Sequence, residues 1–331
     1  MIIKQVSNLE LKRKVAPFER NPIFQIPVLY SDKNPNVFSI VHETHYKYTA
    51  PLSFSKHLFR LQPVQDTEQT LLSYEFKISV HGEVCNFMGA FGNQASFVMI
   101  QEPYTELKIT SEAVVCIGSV DKKVELAHQS RTLPMIWMPW DRIMMEAFLR
   151  PPELPESELF ELAEYAMSFV KKNNNDVLEV ITDMNETIFK EYAYVPGSTT
   201  LWTTPYQVYL QRQGVCQDFA NLLISLARLL NIPARYRVGY IYTGGDYENK
   251  IQSDASHAWV EVFLPYLGWI GFDPTNGCLA GKNHIKVACG RHYNDATPTS
   301  GTIFNAPAGT QESLSTTVRV LLLNEEKEEH T

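Results

Sequence analysis

The chain has 331 residues, long for one domain, and the length favours about two. Its 44% apolar content is enough for large packed cores, while a formal net charge of −8 without any long Lys/Arg run argues against a nucleic-acid or generic phosphate surface. The five cysteines (Cys85, Cys116, Cys216, Cys278, Cys289) are odd in number and form no CxxC pair, against a disulfide framework or a Cys-rich zinc site.

The opening MIIKQVSNLELKRKVAPF lacks the uninterrupted apolar core of a signal peptide. Nowhere does the chain approach the roughly 18 apolar residues of a membrane span. A reducing cytoplasm is the expected home, and it suits a free thiol. From about 37 to 120 the chain reads as strands: VFSIVHETHYKYTA, HLFRLQP, LLSYEFKISVHG, NFMGAFGN, SFVMIQEP and ELKITSEAVVCIG are short, β-branched or aromatic, and bounded by turn residues. That spacing predicts an all-β, sandwich-like domain. The prolines of PPELPE at 151–156 mark a linker, so residues 1–150 are expected to form the β-rich domain and 151–323 a second domain.

Helical periodicity starts after the linker. Leu159, Leu162, Ala163, Ala166, Phe169 and Val170 share a face, with Glu156, Glu158 and Glu161 near the first turn and Lys171 and Lys172 in the last, as the helix dipole favours. Asp176 is placed to cap a second helix that carries Val177, Ile181, Met184 and Ile188 on one face. A third begins near Cys216, with a stripe of Phe219, Leu222, Leu223, Leu226 and Leu230, and stops at Asn231-Ile-Pro. The segments ARYRVGYIY, HAWVEVFL, GWIGFDP and TTVRVLLL read as strands, and the tail NEEKEEHT (324–331) is expected to be disordered. The chain as a whole is thus read as α+β.

Three residues in this second half suit a thiol nucleophile. Cys216 stands between a Gly-containing turn and the third helix, where unpaired first-turn amides favour a thiolate and can help to hold an oxyanion. A lone cysteine is more commonly a small core residue, and it is the helix-start position that favours chemistry here. His257 opens a strand, where it can project into a cleft while held rigidly. Asp273 ends the next strand. If these two strands form a hairpin across the Pro265–Gly268 turn, Pro265 lies eight residues from each, so His257 and Asp273 are expected to oppose one another at about 5 Å between Cβ atoms. A turn-capping Asp before Pro274 is the simpler alternative for Asp273.

These residues carry a resemblance. Gly214-Val215-Cys216 at a helix start, His257-Ala258-Trp259 opening a strand and Asp273-Pro274-Thr275 ending one resemble, in order, the motifs of the transglutaminase-like superfamily of papain-type cysteine enzymes. HETHYKYTAPLSFSKHLFRLQP resembles the N-terminal β-rich region of its bacterial branch, so most of the chain is covered. The resemblance implies a transglutaminase-like α+β core over 151–323, with a catalytic helix packed on an antiparallel sheet. It further implies Cys216 as nucleophile, His257 as general base and acid, Asp273 as the residue orienting His257, and acyl transfer at an amide carbonyl through a thioester. The backbone amide of Cys216 is the first candidate oxyanion donor, with the side chain of Gln207 or Trp202 as a second. No cofactor or metal is implied.

The remaining candidates are weaker. Asp218 suits the first turn of the third helix, although its charge would oppose a thiolate. His42 and His45 are three apart in a strand-like stretch, hence on opposite faces and poorly set for ligation. His284, Cys289 and His292 fall in a tract read as loop-rich, without dense metal-ligand spacing; IKVACGRHYNDATP within it resembles a family segment bordering the cleft. The function expected is hydrolysis of a peptide or amide substrate, with no nucleic-acid or membrane partner. Alternatives are protein-glutamine transglutaminase activity, an amidase acting on a glycan–Asn link, and a peptide-binding scaffold without chemistry.

Overall fold

A computed structural model describes residues 35–118, 132–244, 256–265 and 267–323. The first 34 residues and the tail 324–331 lie outside them. Six strands come first: β1 (Asn36–Leu52), β2 (Phe54–Phe59), β3 (Gln69–Ile78), β4 (Glu83–Met88), β5 (Gln94–Ile100) and β6 (Tyr104–Ile117). Then follow α1 (Pro139–Leu149), α2 (Glu156–Lys172), α3 (Val177–Glu191), β7 (Ala193–Tyr194), α4 (Pro205–Gln211), β8 (Gln213–Gly214) and α5 (Cys216–Leu229). The rest comprises β9 (Ala234–Ile241), β10 (His257–Leu264), β11 (Gly268–Asp273), β12 (Cys278–Leu279), β13 (His284–Gly290), α6 (Tyr293–Ala296), β14 (Thr299–Phe304) and β15 (Glu312–Leu322).

The early strands form two four-stranded antiparallel sheets, ordered β15-β1-β6-β3 and β14-β2-β5-β4. Alternation decides their inner faces: β1 buries Tyr46, Tyr48 and Leu52, which meet Phe59 of β2, Val98 and Ile100 of β5, and Leu107 and Ile109 of β6 in one core. The expected division at residue 150 needs correction on one point. β14 pairs with β2, and β15 pairs with β1 from Phe38↔Leu322 to Tyr48↔Glu312, so residues 299–322 belong by hydrogen bonding to the first two sheets. The long outer edge of β1 would otherwise leave a row of backbone groups unpaired.

The second half is built on α5 and the five-stranded antiparallel sheet β12-β11-β10-β9-β13. Phe219, Leu222, Leu223 and Leu226 of α5 pack with Ala258, Val260 and Val262 of β10 in a core that also takes Leu162 and Phe169 of α2 and Ile181 and Met184 of α3. Burial contributes about 1.5–3 kcal/mol for each large apolar side chain, which is why the stripe in the sequence fixes the face of α5. Asp176 caps α3, accepting from the N–H groups of Leu178 and Glu179. Helix α1 carries no fully buried residue, and Trp140, Ile143 and Met144 are exposed.

The tract read as loop-rich around His284 and Cys289 is strand β13, an edge of its sheet. Side-chain amides from the β-rich part pair with its open edge. Gln69 accepts from the Lys286 N–H at 2.7 Å and donates to the Lys286 carbonyl at 2.8 Å; Asn93 does the same with Cys289 at 2.8 and 2.7 Å. Each amide thus copies a strand partner, and together they dock the sandwich on the sheet. On β9, Gly239 lies between Lys286 of β13 and His257 of β10, and a Cβ there would overlap the Ile285 carbonyl oxygen and the Trp259 ring.

Candidate active site

Cys216 is the first residue of α5 and is partly buried. The approach to it is fixed by Asp218, whose Oδ2 accepts from the Val215 N–H at 2.8 Å and from the Thr199 hydroxyl at 2.6 Å. One carboxylate therefore closes the helix start and ties down the loop before α4. Its fit against Gly214 leaves no room for a side chain there: a Cβ would stand 2.8 Å from that of Asp218. Burial pushes the Asp218 carboxyl up, and the bonds from Thr199 and Val215 partly offset this.

His257 heads β10 and Asp273 ends β11, both fully buried. Their Nε2 and Oδ2 atoms are 2.7 Å apart. The expected direct opposition is corrected by two residues. Val260 pairs with Phe272 and Leu264 with Gly268, which sets Asp273 across from Trp259 and makes it a diagonal neighbour of His257 on the same face. The reversal is centred one residue later than counted, with Gly268 in the left-handed region (φ 73°) closing it. An even slip keeps the face, so the two side chains still meet.

The electrostatics follow from this pairing. Burial alone would lower the His257 pKa, but the Asp273 carboxylate, with a further contribution from the Cys216 side chain, overrides it and lifts His257 to about 10. Asp273, despite its burial, is held far below the usual carboxylate range by His257 and His284. With Nε2 committed to Asp273, the nitrogen left to face Cys216 is Nδ1, which is buried and has no well-formed hydrogen bond. The three residues picked out by the sequence are thus brought together in one cluster.

Asp273 serves more partners than His257. Its Oδ2 also accepts from Asn276 Nδ2 at 2.7 Å and His284 Nε2 at 3.0 Å, and its Oδ1 from the N–H groups of Thr275 and Asn276 at 3.0 and 3.2 Å. The backbone bonds are the turn-capping role that Asp-Pro suggested, so the same carboxylate does both. Atoms of His257, Asp273 and His284 lie within 4.8 Å of one another, a spacing that admits a cation. Both imidazoles, however, already direct Nε2 at the same oxygen, which is the geometry of a hydrogen-bonded carboxylate rather than of a metal centre.

The other candidates are dispersed. Gln207 is exposed and spends its carbonyl on the Thr204 N–H, completing the capping box of α4. Trp202 is 85% exposed at the tip of the loop that Thr199 anchors. His42 is buried against Thr44 and Tyr240, while His45 faces outward to Glu106, on opposite faces as expected. Cys289 is buried in β13, and His292 precedes α6. Asn276 and the site role of His284 escaped the sequence reading. The apolar alternation of Ile285, Val287 and Cys289 was the available signal that His284 begins a strand.

Comparison with known proteins agrees with this architecture. Residues 163–274 match the transglutaminase-like superfamily, and residues 38–116 match the bacterial transglutaminase-like N-terminal region. Uncharacterized protein Rv2569c of Mycobacterium tuberculosis (strain ATCC 25618 / H37Rv) is 30% identical over 288 residues, which cover 81% of this chain and 87% of that one. Uncharacterized protein ML0607 of Mycobacterium leprae (strain TN) is 27% identical, covering 79% and 91%. A solved structure, that of a candidate cysteine protease from Cytophaga hutchinsonii, superposes with a TM-score of 0.69 at 24% identity, covering 88% of this chain and 91% of that chain. The chain belongs to the transglutaminase-like superfamily, with the N-terminal region of its bacterial members.

Proposed function

We propose that the protein is a cysteine-dependent amide hydrolase acting on peptide or protein substrates through a Cys216–His257–Asp273 triad. The observation that carries this reading is the commitment of His257 Nε2 to Asp273 at 2.7 Å, with Nδ1 left for the thiol at the head of α5. In the reaction, the Cys216 sulfur attacks the amide carbonyl carbon, and the oxyanion that forms is met by backbone N–H groups of the first turn of α5, that of Cys216 first. His257 delivers its proton to the leaving amine, and a thioester remains on Cys216. Water, deprotonated by His257, then attacks the thioester carbonyl, the C–S bond breaks, and the acid product leaves with the thiol restored. Asp273 holds the imidazole in the required tautomer throughout.

A second reading has one specific support. Over 68 residues, 19% of this chain and 10% of the other, the chain is 40% identical to the protein-glutamine gamma-glutamyltransferase of Pseudomonas aeruginosa. On that reading an amine takes the place of water in the second half. The cytoplasm belongs to the proposal as well, supported by an odd number of cysteines without any CxxC spacing, which suits a reducing compartment.

Incubation with tetrapeptide and glutamine substrates, with and without a primary amine donor, followed by mass spectrometry, separates hydrolysis from transfer directly. Activity should vanish in Cys216→Ser. Full amidase activity in that variant would overturn the mechanism. Labelling of Cys216 by iodoacetamide near neutral pH that is no faster than that of a surface thiol, and is unaffected by His257→Ala, would leave only a scaffold.

A further inference from the structure

His284 opens β13 with its side chain 4% exposed. Its Nδ1 accepts the Gly281 N–H at 3.2 Å, which occupies that lone pair and assigns the ring proton to Nε2. The Nε2–H then donates to Asp273 Oδ2 at 3.0 Å, the same oxygen that receives His257. The ring stands edge-on to Trp259 at 5.3 Å, and two residues further along β13 the backbone of Lys286 is clamped by Gln69. Orientation, tautomer and position of this second imidazole are thus each fixed by a separate contact.

We propose that His284 is a positioning residue for the thiol site, a backbone-locked donor that holds Asp273 Oδ2 in line with His257 and tempers the carboxylate's pull on the His257 proton. The proposal rests on the triad reading above. A carboxylate oxygen shared with a second N–H donor carries less free charge toward the first, and charge-assisted bonds of this kind are the strong ones in a buried site. Among the described residues, the polar groups facing His257 are few. They are Cys216 from α5, Asp273 from β11 and His284 from β13, while β9 presents Gly239. Further along β9 and β10, Arg235 and Arg237 are both bonded to Glu261, at 2.6 and 2.7 Å.

The test is the pH profile of Cys216 alkylation in the full chain, read by peptide mass spectrometry with iodoacetamide from about pH 5 to 11, beyond the limb that reports loss of the His257 proton. His284→Phe keeps a ring against Trp259 and removes the donor; His284→Gln keeps an amide donor. His284→Leu, equally donor-less, guards against misfolding of the Phe variant. In Phe and Leu the upper limb should move up by on the order of one pH unit, and in Gln it should stay near wild type. An upper limb unmoved in the donor-less variants, or displaced equally in Gln, overturns the role of His284 alone. A wild-type profile like that of an ordinary thiol overturns the triad reading and this proposal with it.

Discussion

Replacing Asp273 with Asn removes a charge while leaving every heavy atom in place, and its consequence can be worked from the hydrogen bonds. Asp273 is fully buried and accepts on both oxygens. An Asn can keep its oxygen toward the Thr275 and Asn276 N–H groups. Its NH₂ then confronts three donors, His257 Nε2, His284 Nε2 and Asn276 Nδ2. His257 can accept from that NH₂ only by moving its own proton to Nδ1, where it points at Cys216 and can no longer take a proton from it. The electrostatic loss is of similar weight. The rise of His257 from 6.5 to about 10, achieved against burial, corresponds to about 5 kcal/mol of imidazolium stabilisation, an order-of-magnitude figure. Without the carboxylate, burial is opposed only by the smaller contribution of Cys216, and the His257 pKa should fall well below 10.

The assay is the pH dependence of Cys216 alkylation together with amide turnover. The upper limb near 10 should disappear from Asp273→Asn, and turnover should drop by on the order of 10³–10⁴-fold. An Asn variant that keeps the limb and stays within about tenfold of wild-type turnover would refute the reasoning. The same pair, counted as one interaction, sets a stability window. The His257 side is complete below its unfolded value of 6.5 and is lost as pH rises through about 10; the Asp273 side is complete above its unfolded value of 3.8 and is lost as pH falls below it.

Two further outcomes follow from groups away from the thiol. His42 and His57 are buried and their pKa values are lowered to about 4 by that burial, so the fold holds them neutral; the stability this gives is present above 6.5 and is lost as pH falls toward 4. The loss should reach about 2 kcal/mol for each by pH 5 in urea unfolding, and His57→Gln should make the response shallower; a flat profile between pH 8 and 5 would sink the argument. Gln69→Leu strips the side-chain acceptor from the Lys286 N–H and one donor from its carbonyl at the buried seam between the sandwich and β13, and should cost about 2–4 kcal/mol by denaturant unfolding. A loss below about 0.5 kcal/mol would mean that the edge pairing contributes little.

Elements that carry their own amphipathic row were legible. The stripe of α5 from Phe219 to Leu230, the Asp176 cap and the alternation of β1 each encode the face they bury within one segment. What failed to show was the choice of partner. TTVRVLLL is recognisable as a strand, yet Val318 is its only fully buried residue, and nothing in so exposed a segment says that it should pair with β1 rather than extend the sheet of β9–β13. Helices α1 and α4 were missed as well: in α1 Trp140, Ile143, Met144 and Phe148 recur at helical spacing yet none is buried, and α4 is seven residues long with Val208 alone buried.

The site divides along the same line. Cys216, His257 and Asp273 were found because each sits at an element boundary with its own local signature, and the even period of a strand protected the His257–Asp273 meeting from a two-residue error in register. A one-residue error would have sent Asp273 to the opposite face. His284 has no such safeguard. It reaches Asp273 because β13 lies beside β9 at the edge of the sheet, where Gln69 and Asn93, more than 190 residues upstream, pair with its open side. A donor supplied by sheet order leaves no mark on its neighbours in sequence, so the residues that tune this carboxylate are found from the fold, whereas the residues that would do the chemistry are found from the chain.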